Sequence, residues 1–428
     1  MRGSILTHAP LDLSGYRAHF PALQMSIGER PQIFFDNPGG TQVPQSVADA
    51  MSSYLLTANA NIHGAFATSQ RTDQIISQAH TAMADLLNAP EPGEIIFGQN
   101  MTSLTFALSR SLGRELGAGD EIVVTRLDHD GNIAPWLQLQ ERGVTIRWTD
   151  IDSEDCTLDY DHMGSLIGPR TKLVAVGMAS NAVGTINDIR PVVAMARSVG
   201  ALVFVDAVQA VPHIPVDVQA LGCDFLVCSA YKFFGPHQGI LWGKRALLEQ
   251  LHAYKVRPAS DELPGKWETG TQSHEGQAGT LAAVTYLQQL GREQLDRYMD
   301  DLGSLSDRRR DLRAAMLTIR EYEQQLSRHM LQRLKQLPSL RLYGIGDPER
   351  VAERVPTFAV VNQHANARKL AQLLADHGIA TWSGNYYALA LVERLGQAEE
   401  GMLRIGLAHY NTEEEIDRCC DLLEQATS

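Results

Sequence analysis

A lysine, an acid and a hydroxyl fall in a telling order within the stretch Val203–Leu241. Asp206 closes an apolar run, Val203-Phe204-Val205-Asp206. A second run, Asp224–Cys228, leads into Ser229-Ala230-Tyr231-Lys232, and a Gly/Pro loop, Gly235–Gly239, follows. If both runs are neighbouring strands, the three side chains meet just past their ends. Lys232 can form a Schiff base with an aldehyde. Asp206 can keep a pyridine nitrogen protonated, and Ser229 can bind a phosphate. Those are the tasks that pyridoxal 5'-phosphate sets a protein. Each residue alone has a plainer role: a lysine after a strand is commonly a solvated surface group, and an aspartate there a cap or turn residue. The order of the pieces favours the cofactor.

Positioning them takes a sheet. From about Asp120 to Leu241, apolar strands alternate with helical stretches. The pattern predicts strands at Glu121–Thr125, Thr145–Thr149, Leu173–Met178, Leu202–Asp206, Asp224–Cys228 and Ile240–Trp242, and helices at Trp136–Glu141 and Pro191–Val199. Near-continuous apolar strands separated by helices imply an α/β fold whose large, mostly parallel sheet is covered on both faces. Ligands of such sheets sit beyond the carboxyl ends of the strands. Asp206, Ser229, Lys232 and Asn181 all fall there. Further on, Gly291–Leu337 predicts a long charged helix broken near Gly303-Ser304. Strands at Leu340–Tyr343, Thr357–Val361 and Met402–Leu407, with helices at Asn366–His377 and Thr412–Ala426, predict a smaller α+β C-terminal domain. The expected division is an N-terminal arm, 1–30, packing with the small domain, a large cofactor-binding domain, 31–290, and a small domain, 291–428.

Composition removes other classes of function. The chain has 428 residues, enough for more than one domain, and a formal net charge of −13. That charge argues against nucleic acid or an anionic membrane surface as partner. No run reaches the roughly 18 apolar residues of a membrane span. The opening MRGSILTHAP lacks the apolar core of a signal peptide, and Met1–Ser4 is short enough to be a vector leader. The five cysteines show neither a CxxC pair nor metal-finger spacing, so no metal site is expected. Cys223 and Cys228 read as small core residues, and Cys419 and Cys420 as part of a polar helix. A reducing cytoplasm is the simple inference.

Further motifs carry a resemblance. They are Phe34-Phe35-Asp36-Asn37-Pro38-Gly39-Gly40, Asn61-Ile62-His63-Gly64, Gln99-Asn100-Met101-Thr102-Ser103, Asp128-His129-Asp130, Ser180-Asn181-Ala182, Trp267-Glu268-Thr269-Gly270-Thr271 and Leu403-Arg404-Ile405-Gly406. With Asp206–Lys232 they make the chain resemble the class V aminotransferase family of fold-type-I PLP-dependent transferases, in its cysteine desulfurase-like subgroup. The resemblance implies roles. His129 would stack on the pyridine ring. Gln209 would donate to the ring hydroxyl. Thr102, Ser103, Ser229 and Tyr231 would hold phosphate, with Thr271 reaching the other subunit's phosphate across a homodimer interface. Gly39, Gly40, His63 and Asn181 would line the substrate. Arg404 would grip the α-carboxylate of an amino acid, which suits a guanidinium fork. A helix N-terminus at Met101 would favour an anion, with Thr102 as a simple cap as the competing view.

The departures shape the expected function. Tyr231 stands where desulfurases usually have a histidine. The loop Thr381–Ala388 matches the one that carries the persulfide-forming cysteine, and counting from Gly384 puts Tyr387 at that place. Without a thiolate nucleophile the usual relay is in doubt. The expectation is therefore a PLP-dependent lyase cleaving a C–S bond of a cysteine-derived amino acid by β-elimination. Epimerisation, transamination or condensation on the same scaffold are the alternatives, and a non-catalytic PLP-binding scaffold is a remote one. A second departure is extra helical length near 301–321, whose expected role is left open between covering the site and lengthening a surface helix.

Overall fold

The computed structural model describes residues 11–28 and 30–427. Met1–Ser4 and the first ten residues of the expected arm lie outside the described residues. A short pair, β1 (Ser26–Ile27) and β2 (Arg30–Pro31), precedes β3 (Ile33–Phe34). The large sheet has seven strands: β4 (Ile95–Gly98), β5 (Glu121–Thr125), β6 (Thr145–Thr149), β7 (Thr171–Gly177), β8 (Leu202–Asp206), β9 (Phe225–Ser229) and β10 (Gly239–Gly243). Their order is β4-β10-β9-β8-β7-β5-β6. Only β10 runs against its neighbours, and β9-β8-β7-β5-β6 pair in parallel. Alternate residues feed two cores. Val174, Val176, Val203, Val205 and Leu226 face one, and Leu173, Ala175, Phe204, Phe225 and Val227 face the other. Burial on both faces is why these strands read as unbroken apolar runs.

Several expected boundaries shift. Trp136–Glu141 is one α turn, Ala134–Leu137, running into a 3-10 turn, Gln138–Arg142. The helix expected from Gly291 starts earlier and is His274–Glu293. Two 3-10 turns follow, and a second helix, Asp307–Leu334, begins only after Gly303. These two helices cross tightly at Gly291, where an added Cβ would lie 1.7 Å from Asp311 O. Gly291→Ala is therefore expected to lower stability by about 3 kcal/mol or more. A denaturant titration with unchanged midpoint would contradict that close approach.

The small sheet comprises β11 (Leu340–Tyr343), β12 (Thr357–Asn362), β14 (Trp382–Gly384) and β15 (Met402–Gly406), ordered β11-β12-β15-β14 and antiparallel throughout. Helices Ala367–Asp376, Asp307–Leu334 and Glu413–Thr427 pack on it, and Phe358, Leu370, Met330 and Ile405 share one core. Cys419 and Cys420 join that core and are fully buried, which corrects their placement on a merely polar helix. Ahead of β14 lies β13 (Ile379–Ala380), which pairs in parallel with β3. Gly406 N also donates to Phe35 O at 2.7 Å. The segment Ile33–Phe35 is thus built into the small sheet's neighbourhood before the chain enters the large one. Leu11 and Leu13 belong to the same small core.

Candidate active site

The turn Asn37–Gly40 carries the chain from the small sheet to the end of β9. Asn37 Nδ2 donates to Phe34 O and Gly406 O, both at 2.9 Å. Lys232 Nζ then donates to Pro38 O. Glycine is needed in this turn because aromatic side chains press on it. A Cβ on Gly39 would lie 2.8 Å from Trp382 Nε1 and 3.7 Å from an Arg404 nitrogen, and one on Gly40 would lie 3.2 Å from the Tyr231 ring. Lys232, Tyr231, Gly39, Gly40, Arg404 and Trp382 therefore enclose one space.

Its floor is ionisable and buried. Lys232 is 8% exposed. Burial pushes its amine down to about 7, the Arg404 cation adds to this, and Asp206 and Asp36 oppose it. Asp206 ends β8, and burial pushes its carboxyl up to about 6 against the hydrogen bond from Val208 N at 2.9 Å. Asp128 is also fully enclosed; burial raises it to about 7, although Gly177 N and Asn132 Nδ2 each donate to it at 2.8 Å. His129 follows it, capping a short turn, and Gly131 N donates to its Nδ1 at 2.9 Å. Burial, then the charges of Lys232 and Arg404, press His129 down to about 4, so its imidazole stays neutral.

Arg404 lies on β15, 5% exposed. Its Nη1 donates to Asn181 O at 2.9 Å, and its guanidinium carbon lies 4.3 Å above the Tyr386 ring. Neither partner is a carboxylate. Burial lowers its pKa to about 10. Asn181 Nδ2 reaches Tyr386 O at 2.9 Å. Thr102 stands beside His129, since a Cβ on Gly131 would lie 2.9 Å from His129 Nδ1 and 3.0 Å from Thr102 Oγ1.

Other expected residues sit differently. Asn100, not Thr102, caps the Met101–Leu112 helix, accepting from Ser103 N at 2.9 Å, and it takes the Ser103 hydroxyl as well at 3.0 Å. Ser103 is exposed. Tyr231 stacks on His237 with ring centres 5.0 Å apart. Gln209 Nε2 lies 3.2 Å from both His213 Nε2 and Thr357 Oγ1. Within one chain His63 and Thr271 lie on exposed loops, His63 against Asp73. Tyr387 is 73% exposed, its ring 5.6 Å from His129. A large cavity, about 870 Å³ and lined by Leu251–Arg257, Lys266, Thr269 and Gly270, contains none of the expected site residues.

Four contributors had no signal of their own in the sequence reading. Asp36 presents a buried, unpartnered Oδ1 within reach of the Lys232 and Arg404 charges. Asp128 was read only as His129's neighbour. Trp382 and Tyr386 were read only as part of an aromatic loop. The Asp-His dipeptide and the paired tyrosines were the available hints.

Pyridoxal phosphate fits what is here. Ser229 Oγ, Gln209 Oε1 and Asn181 Oδ1 are buried polar oxygens without partners. Asp206 is a buried acid that a pyridinium would keep charged, and Lys232 is a buried amine close to neutrality. A large α/β sheet with these groups at its strand ends, and a smaller unit supplying an arginine, defines a fold-type-I PLP-dependent enzyme.

Comparison narrows the class. The family description "Aminotransferase class-V" matches residues 33–309 and 312–419. A cysteine desulfurase of Yersinia pestis (strain Pestoides F) is 34% identical over 419 residues, covering 94% of this chain and 95% of the relative. Among solved structures, a cysteine desulfurase in an S-sulfonic acid form from Escherichia coli superposes with TM-score 0.80 at 26% identity, covering 98% and 99% of the two chains. One from Thermococcus onnurineus NA1 gives 0.79 at 26%, covering 92% and 94%. The chain belongs to the class-V aminotransferase family, in its cysteine desulfurase-like subgroup, and its cofactor is pyridoxal 5'-phosphate. Among the described residues no helix is long and apolar enough to cross a membrane.

Proposed function

We propose that this enzyme cleaves the C–S bond of a cysteine-derived amino acid by β-elimination, without a persulfide-forming cysteine of its own. One observation carries the reading: the pocket joins Arg404 and Lys232 to an aromatic loop that holds no thiol. All five cysteines are buried elsewhere. Burial pushes Cys156 up to about 11 and Cys223 up to about 12, so neither is a ready thiolate.

Pyridoxal phosphate, when bound, supplies an electrophilic aldehyde and an electron-accepting ring. The chain's own residues do the rest. Arg404 holds the substrate α-carboxylate in its fork, with Asn181 beside it. Asp206 would hold the ring nitrogen as its ionised partner, and neutral His129 would cover the ring and keep water out. Lys232 Nζ takes the Cα proton, a general-base role worth roughly 10²–10⁴-fold. The electron pair freed at Cα expels sulfur with the Cβ–S pair, and the unsaturated amine released hydrolyses to pyruvate and ammonia. The same start serves epimerisation, transamination or condensation. The aromatic loop Trp382, Tyr386 and Tyr387 favours that second reading, because it suits a bulkier side chain than that of cysteine. In a cytoplasmic homodimer, the exposed loops bearing His63 and Thr271 would complete the partner's pocket.

Titrating the holoenzyme with cysteine, cystine, cysteine sulfoxides and other amino acids tests this. The expected result is a changing cofactor absorbance with pyruvate released and no thiol acceptor required. A bound cofactor that releases no pyruvate from any sulfur substrate would sink the lyase reading.

A further inference from the structure

One buried cation has no part in the chemistry above. Arg354 is 3% exposed and stands between the turn Pro348–Glu353 and β12. Its Nη1 donates to Ile345 O, and its Nη2 donates to Thr357 O and, at 3.3 Å, to Val183 O. The guanidinium carbon lies 4.1 Å from the centre of the Phe358 ring, and Nε is buried without a partner. Among the described residues no carboxylate pairs with it. Burial lowers its pKa to about 9, so the charge persists at neutral pH. Burying a charge is costly, and a well-packed apolar side chain of similar volume is often as stable or more so. Packing alone therefore does not call for a guanidinium here.

The carbonyls it grips lie on two sides of Arg404. Val183 belongs to the turn after β7, and that turn is braced as a unit. Ser180 Oγ accepts from Ala182 N and Val183 N, both at 3.3 Å, and Gly184 N donates to Ser180 O at 3.1 Å. Asn181 lies inside the turn, and its carbonyl is the acceptor for Arg404 Nη1. Thr357 opens β12, which pairs with β15 through Thr357–Gly406 and Ala359–Arg404. One side of the grip thus holds the acceptor of the Arg404 fork, and the other holds the strand beside its backbone. The approach leaves no slack. Gly184, with φ of +83°, would place a Cβ 2.6 Å from Thr357 O and 3.3 Å from Arg354 Nη2.

We infer that Arg354 is a positioning residue for substrate recognition: by tying the Val183 carbonyl to Ile345 and Thr357, it fixes where Asn181 holds the Arg404 fork and so sets the affinity of the site for an α-carboxylate. The inference rests on the reading of Arg404 as the carboxylate's partner, and not on which bond is cleaved afterwards.

Arg354→Lys replaces the fork with a compact ammonium that cannot span the three carbonyls. Wild-type and variant holoenzymes are titrated with L-cysteine and with L-alanine, and the half-saturating concentration is read from the cofactor's absorbance. That readout reports binding whatever product follows. Arg354→Lys should raise the half-saturating concentration roughly tenfold, with kcat changed by less than about twofold and the band before titration unmoved. In an Arg404→Lys background the same substitution should add less than about twofold, because the fork it orients is already gone. Fully additive penalties would overturn the inference. So would a lower melting temperature with half-saturation intact, which is what a merely structural arginine predicts. Arg354→Met, which fills the space without donors, is the second variant and should lose at least as much affinity. Failure of both variants to fold would assign Arg354 to the fold alone and overturn the inference as well. If Arg404→Lys itself leaves half-saturation unchanged, or neither amino acid moves the wild-type band, the carboxylate reading of Arg404 fails. An effect of Arg404→Lys without one of Arg354→Lys sinks this inference alone.

Discussion

Lys232→Ala is expected to abolish turnover, by about 10³-fold or more, because it removes both the proposed point of attachment and the proposed base for the Cα proton. The variant should still take up pyridoxal phosphate, now released by dialysis or by a competing amine. The same substitution has a second effect in the cofactor-free protein. Lys232 is pushed down to about 7 in the fold, against about 10.4 in an unfolded chain. The folded state therefore disfavours the charged amine. Above the unfolded value both states are neutral and the residue costs nothing. As pH falls between the two values the cost grows, and below about 7 it is complete, on the order of a few kcal/mol. Lys232→Ala should consequently gain stability relative to wild type near about pH 6.5, with the advantage fading toward about pH 10. Thermal melts of both cofactor-free proteins across that range decide it. A difference independent of pH would mean that the amine is not held near neutrality.

The second large effect concerns Arg404. Arg404→Lys keeps a positive charge but loses the planar fork, and KM for the amino acid should rise about 10- to 100-fold. kcat should change less, and the spectrum of the bound cofactor should be unaltered, because Arg404 faces Asn181, Tyr386 and Trp382 rather than Asp206. Arg404→Gln goes further. The Arg404 charge is one reason the Lys232 amine is depressed, so its loss should raise the pH at which Lys232 becomes a base. A steady-state pH profile of kcat/KM should therefore move to higher pH in Arg404→Gln and stay in place in Arg404→Lys. An unmoved profile in both would remove Arg404 from the field acting on Lys232.

The sequence spoke most clearly where burial is two-sided. Glu121–Thr125 and Leu202–Asp206 are legible as strands because both faces lie in cores, and Asp206 and Lys232 follow from where those strands stop. The first long helix was harder. His274–Gly279 carries Gly276 and Gly279, which weaken the helical pattern. Their reason is tertiary: a Cβ there would meet Gln238 Oε1 at 2.4 Å and the Met51 side chain at 2.8 Å. Cys419 and Cys420 looked polar by neighbourhood because one face of a single helix was averaged with the other. The aromatic loop shows another limit. Counting residues pointed to Tyr387, whose ring lies 5.6 Å from His129, but gave no sign that Tyr386 lies under Arg404 or that both tyrosines are left-handed, with φ of 54° and 59°. Nothing local announces that conformation in a tyrosine. The grip of Arg354 on the Val183 carbonyl was also invisible, since 171 residues separate the two.

The way Ile33–Asn37 is anchored has a consequence for the order in which the molecule is made. Asn37 is clamped by Gly406, 369 residues later, and by Asn411, 374 residues later. A ribosome delivers the turn beside Lys232 more than 360 residues before either clamp. Large-sheet strands can pair long before that point, yet the wall of the pocket has nothing to lean on until β15 emerges. Closure of the wall beside Lys232 is thereby tied to synthesis of β15. A chain halted before Met402 would carry Lys232 and Asp206 without the clamp that closes the wall beside them.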